Sequence, residues 1–97
     1  MLLIYIKNNS PEEGIVIANN NVPDLIFLDI NLPAMSGRDA IKTLKLNPKL
    51  QNTLIIAISA DAYQERINQA FAAGFDDYFT KPVDVEKILK VISDLKP

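Results

Sequence analysis

Leu25-Ile26-Phe27-Leu28 and Leu54-Ile55-Ile56-Ala57-Ile58 are strand-length stretches with no polar residue. Neither alternates apolar with polar. A run of this kind is buried on both faces, as a strand inside a parallel sheet is, because crossover helices cover such a sheet above and below. Asp29 stands where the first run ends, and Ser59 where the second does. Open α/β sheets gather their ligands at the carboxyl ends of strands, so Asp29 sits where chemistry usually happens. Taken alone, it also reads as a turn cap.

The rest of the chain fits around these strands. Leu2 to Ile6 reads as a first strand. Ser10-Pro11-Glu12-Glu13 reads as a helix start: a cap, Pro at the first helical position, then a capping-box Glu. That helix runs to about Asn20, with Ile15, Ile17 and Ala18 toward the sheet. Ser36 caps a second helix with a stripe of Ala40, Ile41 and Leu44, stopped by Asn47-Pro48. A third helix covers Tyr63 to Ala73, with Ile67, Ala70 and Phe71 inward, and Gly74 ends it in the left-handed position. Asp77 to Thr80 is a short fourth strand. A last helix, from Asp84 to Leu95, turns Val85, Ile88, Leu89 and Ile92 inward. The alternation of strands and helices predicts an α/β sandwich on a parallel sheet.

Composition excludes several function classes. At 97 residues the chain is one domain, 1–97, with room for one core. A net charge of −2 leaves no basic footprint for nucleic acid. The chain has neither cysteine nor histidine, which removes disulfides, thiolate metal sites and triads of the Ser-His-Asp or Cys-His type. Met1 to Ile6 is too short for a signal peptide core or a membrane span, so the chain reads as soluble and cytoplasmic, with no membrane partner.

Lys81 follows the fourth strand, so an acid, a hydroxyl and an ammonium group, Asp29, Ser59 and Lys81, end three successive strands. In a parallel sheet those ends share one edge. A carboxylate oxygen can attack phosphorus to form an acyl phosphate. An ammonium can balance the transferred charge, and a hydroxyl can bond a phosphoryl oxygen. Singly, Ser59 is a turn cap and Lys81 a solvated lysine; together they favour phosphoryl chemistry.

With these residues the chain resembles the receiver domain of bacterial response regulators, over residues 10–97. Asp29 matches the phosphoacceptor. Pro33 and Gly37 match the loop after it. Ser59, followed by Ala60, matches the Ser/Thr switch position, thirty residues beyond Asp29. Lys81-Pro82, fifty-two residues beyond Asp29, matches the Lys and its following Pro, whose peptide bond is typically cis. Tyr78 falls on the aromatic switch position, within Ala73-Gly74-Phe75-Asp76-Asp77-Tyr78. The resemblance implies a flavodoxin-like, CheY-like three-layer fold, here with four strands. It implies a signalling module and not an enzyme. A histidine kinase or hybrid kinase would phosphorylate Asp29, and a downstream protein partner would read the change through Ser59 and Tyr78. It also implies Mg²⁺ between Asp29, the phosphoryl group and the backbone carbonyl of Asn31. The side chains of Asn31 and Asp61 would tune the phosphoryl lifetime.

One part of the family pattern is missing. The family holds Mg²⁺ with an acidic pair at the end of its first strand, and this chain has no Asp or Glu before Glu12. Three arrangements accommodate that. Residues 2–9 are the family's second strand, with the first strand and helix absent. Or they are its first strand fused to the second helix, with Lys7 and Asn8 at the acidic positions. Or two chains exchange strands as a dimer. Length and spacing favour the first. Hydrogen bonding favours the second, since the family order 2-1-3-4-5 puts the first strand mid-sheet, and laying Leu2 to Ile6 beside Leu25 to Leu28 closes the gap. In each, the metal site is incomplete, and weak Mg²⁺ binding and slow labelling by small phosphodonors are expected. Lys7, beside Asp29, would compete with the cation. Asp76-Asp77 looks like a metal pair but precedes its strand, at the opposite edge.

The competing reading is a pseudo-receiver, a protein-interaction module that is not phosphorylated. A flavodoxin-like cofactor binder lacks its glycine-rich phosphate loop, and a hydrolase lacks a second acid beside Asp29.

Overall fold

The structure, a computed structural model, describes residues 1–7, 11–30 and 35–95. Asn8, Ser10, Asn31 and Pro33 therefore lie outside the described residues. Strand β1 (Leu3–Ile6) leads through α1 (Pro11–Asn21) to β2 (Leu25–Asp29). Helix α2 (Met35–Lys45) and a 3-10 turn at Pro48–Leu50 lead to β3 (Leu54–Ser59). Helix α3 (Gln64–Ala73), β4 (Asp77–Thr80) and α4 (Val85–Leu95) complete the order.

Among the described residues the sheet has four strands, all parallel, in the order β1-β2-β3-β4. β1 lies directly on β2, from Leu3 opposite Leu25 to Ile6 opposite Leu28. This is the arrangement that keeps the ladder unbroken. β2 and β3 are interior strands, and their apolar runs from Leu25 to Leu28 and from Ile55 to Ile58 are buried throughout. β1 is an edge, and its side chains alternate in exposure.

Alternation also divides the core between two faces. Ile6, Ile26, Leu28, Ile55 and Ala57 meet Ala18 of α1, Ala40, Ile41 and Leu44 of α2, and Ala70 of α3. Leu25, Phe27, Ile56, Ile58 and Phe79 meet Ile88, Val91, Ile92 and Leu95 of α4. The three crossovers share a face because the strand order advances one place at a time, and right-handed connections then stack on the same side.

The helices correct several expected inward positions. Ile17 is 50% exposed, because the stripe of α1 that meets the sheet is Gly14, Ile15 and Ala18. Phe71 is also exposed, because α3 approaches through the small residues Ala70 and Ala73. Val85 and Leu89 of α4 are exposed too: its apolar stripe is wider than the strip of sheet it covers. Ser36 lies inside α2 and does not precede it. The other boundaries follow the sequence pattern to within a residue or two, and Gly74 closes α3 at φ 115°.

The amino edge of the sheet uses one device twice. The Asp24 carboxylate, just before β2, accepts from the Leu2 N–H at 2.9 Å, and Asp76, just before β4, accepts from the Ile55 N–H at 2.8 Å. Each aspartate caps an amide at the amino end of the neighbouring strand. The Asp77 carboxylate accepts from the Tyr78 N–H at 2.8 Å. Asp76-Asp77 is thus a capping pair, as its place at the amino end of β4 implies.

At Gly14, helix α1 lies close against the sheet. A Cβ there would lie 2.6 Å from Cγ1 and 2.8 Å from Cγ2 of Ile6, which is itself buried. Alanine ordinarily improves a helix interior by up to about 1 kcal/mol over glycine. Here the overlap falls on a stiff β-branched side chain in a closed core. Gly14→Ala is expected to destabilise the protein by about 1–3 kcal/mol, as overpacking does. Urea unfolding midpoints of the two proteins check this.

Candidate functional site

The carboxyl ends of β2, β3 and β4 are laced together by backbone hydrogen bonds. The Ile30 N–H donates to the Ile58 carbonyl at 2.8 Å, and the Lys81 N–H donates to the Ser59 carbonyl at 2.8 Å. Ser59 and Thr80 are register partners, as are Asp29 and Ile58. The ends that carry Asp29, Ser59 and Lys81 therefore lie along one edge.

Asp29 and Lys81 meet. The Lys81 ammonium donates to both oxygens of the Asp29 carboxylate at 3.0 Å. The Asp29 side chain is 15% exposed and that of Lys81 is 35%, so the pair is partly sheltered from solvent. The Lys81-Pro82 peptide bond is cis.

A third group reaches this carboxylate that the sequence reading did not single out. The Tyr5 hydroxyl donates to Asp29 Oδ2 at 2.7 Å. Tyr5 is in register with Phe27, two residues before Asp29, and alternation puts Tyr5, Phe27 and Asp29 on the α4 face of the sheet. About 6.6 Å of strand rise separates the two positions, within a tyrosine's length. The residue of β1 that contacts Asp29 is thus Tyr5, and not Lys7, which lies beyond the strand and is exposed. The signal was present in the chain, as the one polar-tipped side chain between Leu2 and Ile6. Its use depends on the register of β1.

Ser59 is buried at the end of β3, and its Oγ accepts from the Asp61 N–H at 3.1 Å. The Asp61 carboxylate accepts from the Tyr63 N–H at 2.9 Å and lies 3.6 Å from Nε of Arg66. Asp61 thus organises the loop that leads into α3. Tyr78 lies inward: it packs against the core on the face of α1, α2 and α3, and its hydroxyl donates to the Asp61 carbonyl. One loop therefore joins the Ser59 hydroxyl and the Tyr78 hydroxyl through Asp61.

Comparisons with known proteins identify the family. The family model described as the response regulator receiver domain matches residues 6–93. The chain belongs to that family. It is a receiver domain of two-component signalling, a module class that signals and generally does not catalyse. It is 36% identical over 90 residues to the polar-differentiation response regulator DivK of Brucella ovis, covering 90% of this chain and 71% of that protein. It is 36% identical over 86 residues to the hybrid signal transduction histidine kinase G of Dictyostelium discoideum. That match covers 88% of this chain but spans only 2% of the kinase. The fold is also that of a response regulator from Desulfuromonas acetoxidans (TM-score 0.78, 23% identity, 96% of this chain and 94% of that one). The chemotaxis response regulator CheY4 of Vibrio cholerae gives TM-score 0.79 at 18% identity, covering 99% of both chains. The flavodoxin-like, CheY-like fold class is therefore established. No helix among the described residues is long and apolar enough to cross a membrane.

Receiver domains generally bind Mg²⁺. The described residues of this one do not fit the ion: no three His, Cys, Asp or Glu side chains gather among them, and both oxygens of Asp29 are already engaged by donors. Mg²⁺ requires near-octahedral oxygen ligands and gives up its water reluctantly, so one occupied carboxylate is a poor host.

The contact with Asp29 also changes Tyr5. Partial burial, the hydrogen bond to Asp29 and the carboxylate charge, in that order of size, push the phenol from 10.0 up to about 12. All three causes disfavour the tyrosinate. The folded state thus holds the Tyr5 proton more tightly than the unfolded chain. The stability this contributes is complete below pH 10 and is lost as pH rises through about 12. An alkaline absorbance titration, with that of Tyr5→Phe subtracted, is expected to show this phenol ionising near 12. Asp29→Asn is expected to bring it part of the way back, because burial persists. A Tyr5 titration unaffected by that substitution would show that the carboxylate plays no part.

Proposed function

We propose that residues 1–97 act as a single phosphoacceptor module, taking a phosphoryl group from a histidine kinase or hybrid kinase onto Asp29. The observation that carries this reading is the contact of Lys81 with both oxygens of a partly sheltered Asp29 at the carboxyl edge. In the reaction a carboxylate oxygen attacks the phosphorus of the kinase phosphohistidine. The P–N bond breaks, the imidazole leaves with its electron pair and takes up a proton, and an acyl phosphate forms. The Lys81 ammonium then faces the transferred charge in place of the carboxylate charge, which limits the cost of the change.

Readout follows from the loop after β3. A phosphoryl group on Asp29 adds hydrogen-bond acceptors at the carboxyl edge that also carries the buried Ser59. Once Ser59 Oγ turns toward them it gives up its bond with the Asp61 N–H, and that loop also holds the Tyr78 hydroxyl. A protein partner that contacts the Tyr78 side of β4 and α4 would sense the shift as a change in affinity. Asp61, and Asn31 by its place in the sequence, would set how fast water removes the group. Mg²⁺ has a minor place here: Asp29 and the Asn31 carbonyl are too thin a donor set to hold it firmly.

A second reading has its own observation. The Tyr5 bond to Asp29 fills an acceptor position on the carboxylate, which favours a pseudo-receiver that binds its partner without phosphorylation.

The two readings separate by intact mass after incubation with acetyl phosphate and Mg²⁺. The phosphoacceptor reading expects one added phosphoryl mass, at a rate below that of an ordinary receiver, and none in Asp29→Asn. No gain from a folded sample, with acetyl phosphate or with a phosphorylated histidine kinase as donor, would establish the pseudo-receiver.

A further inference from the structure

Asp29, Ser59 and Lys81 all stand at strand ends. Tyr5 reaches the same carboxylate from within β1, and it is not part of the motif that marks the family. An ionised carboxylate offers about four lone-pair sites, two on each oxygen. Both sites on Asp29 Oδ2 are taken, by the Tyr5 hydroxyl at 2.7 Å and the Lys81 ammonium at 3.0 Å. Among the described residues, Oδ1 holds the ammonium alone. Oδ2 is thus saturated, and its two donors hold the carboxylate plane in one orientation.

We propose that Tyr5 is a positioning residue that closes Asp29, its hydroxyl keeping both a divalent cation and an incoming phosphoryl group off Oδ2 until the ring swings away. The phosphoryl half of this role rests on Asp29 being the acceptor, while the cation half stands without it. The ring has a way out: Tyr5 is 47% exposed on an edge strand. The helix packed on that face, α4, makes its contacts with residues of β2, β3 and β4. Opening costs one hydrogen bond to a charged acceptor, and the aromatic body stays at the surface either way.

This explains the poor metal fit more specifically than a missing ligand does. The first strand offers Asp29 a donor where a metal site needs an acceptor. A phenol and an ammonium together satisfy the carboxylate in the resting state, so a cation must displace one of them to bind.

The test uses the full 97-residue chain as wild type, Tyr5→Phe, Asp29→Asn and the double variant. Tyr5→Phe keeps the ring and the strand propensity and removes only the hydroxyl. Mn²⁺ affinity is read from the paramagnetic signal of the free ion, and acetyl phosphate labelling from intact mass. Tyr5→Phe is expected to raise Mn²⁺ affinity and labelling rate by roughly tenfold each, the worth of one charge-assisted hydrogen bond. Both gains should vanish in the double variant, with the urea midpoint of Tyr5→Phe lowered by no more than the loss of that one hydrogen bond. A merely structural tyrosine gives no such gain. An Mn²⁺ affinity unchanged by Tyr5→Phe, including no binding in either protein, overturns the proposal. So does labelling that is unchanged or slower in Tyr5→Phe when wild type labels. If neither protein labels but Tyr5→Phe gains Mn²⁺ affinity, the positioning role stands and the phosphoacceptor reading falls.

Discussion

The hydrogen-bond ladder between Leu3–Ile6 and Leu25–Leu28 is the contact on which the rest of this fold depends. Without a neighbour on that side, β2 would be an edge strand, exposing the unpaired amides and carbonyls of a fully apolar segment. Such an edge invites pairing with another chain. Placing β1 there supplies the missing partners and moves the edge to a strand that already alternates in exposure. It also gives the sheet a strand order without reversal, so the three crossover helices share a face and α4 alone takes the other.

The same ladder sets the electrostatics of the carboxyl edge. A partly sheltered carboxylate loses some of its hydration and has to be repaid by charge or hydrogen bonds from the protein. Lys81 supplies the charge from the loop after β4, and the register of β1 brings the Tyr5 hydroxyl to the other side. These two donors differ in how they bind. The ammonium is a compact point charge on a flexible stem, able to follow the carboxylate to a new charge distribution. The phenol is a single donor on a rigid ring, and its bond to Oδ2 is either kept or lost whole when the ring swings. The site therefore combines a partner that tolerates a change at Asp29 with one that resists it.

Much of the fold was legible because it rests on burial patterns that survive in a single sequence. The unalternated runs at Leu25 and Leu54 gave interior parallel strands, and Gly74 gave the end of α3. The order of polar residues at strand ends brings Asp29 and Lys81 to one edge of a parallel sheet. What the chain could not show by pattern is which strand neighbours which. Three arrangements of residues 2–9 satisfied the periodicity, and hydrogen-bond closure alone preferred the one found. Tyr5 went unread for that reason: an aromatic in a strand reads as packing until its register is known. The misplaced helix positions have a similar source. Ile17 and Phe71 are apolar at plausible spacing, but the side that faces the sheet was chosen by the small residues Gly14, Ala18 and Ala70, which allow close approach, while Val85 and Leu89 belong to a stripe on α4 wider than the sheet it covers.

The uncovered corner of the sheet ties these points together. Neighbouring strands lie about 4.8 Å apart, so four span about 14 Å between their axes. A helix with its side chains is about 10–12 Å wide. On the face with three helices that width is covered. On the other, α4 reaches β2, β3 and β4, and Leu3 and Tyr5 of β1 stand 40% and 47% exposed. A helix packed over β1 on this side would press the Tyr5 ring against the sheet as an ordinary core aromatic. With no such cover among the described residues, the ring lies across the surface, and the nearest strong acceptor along that face is the Asp29 carboxylate. The bare side of β1 among the described residues is thus the physical reason a tyrosine reaches the acid, and it makes this carboxyl edge different from one built around an acidic pair.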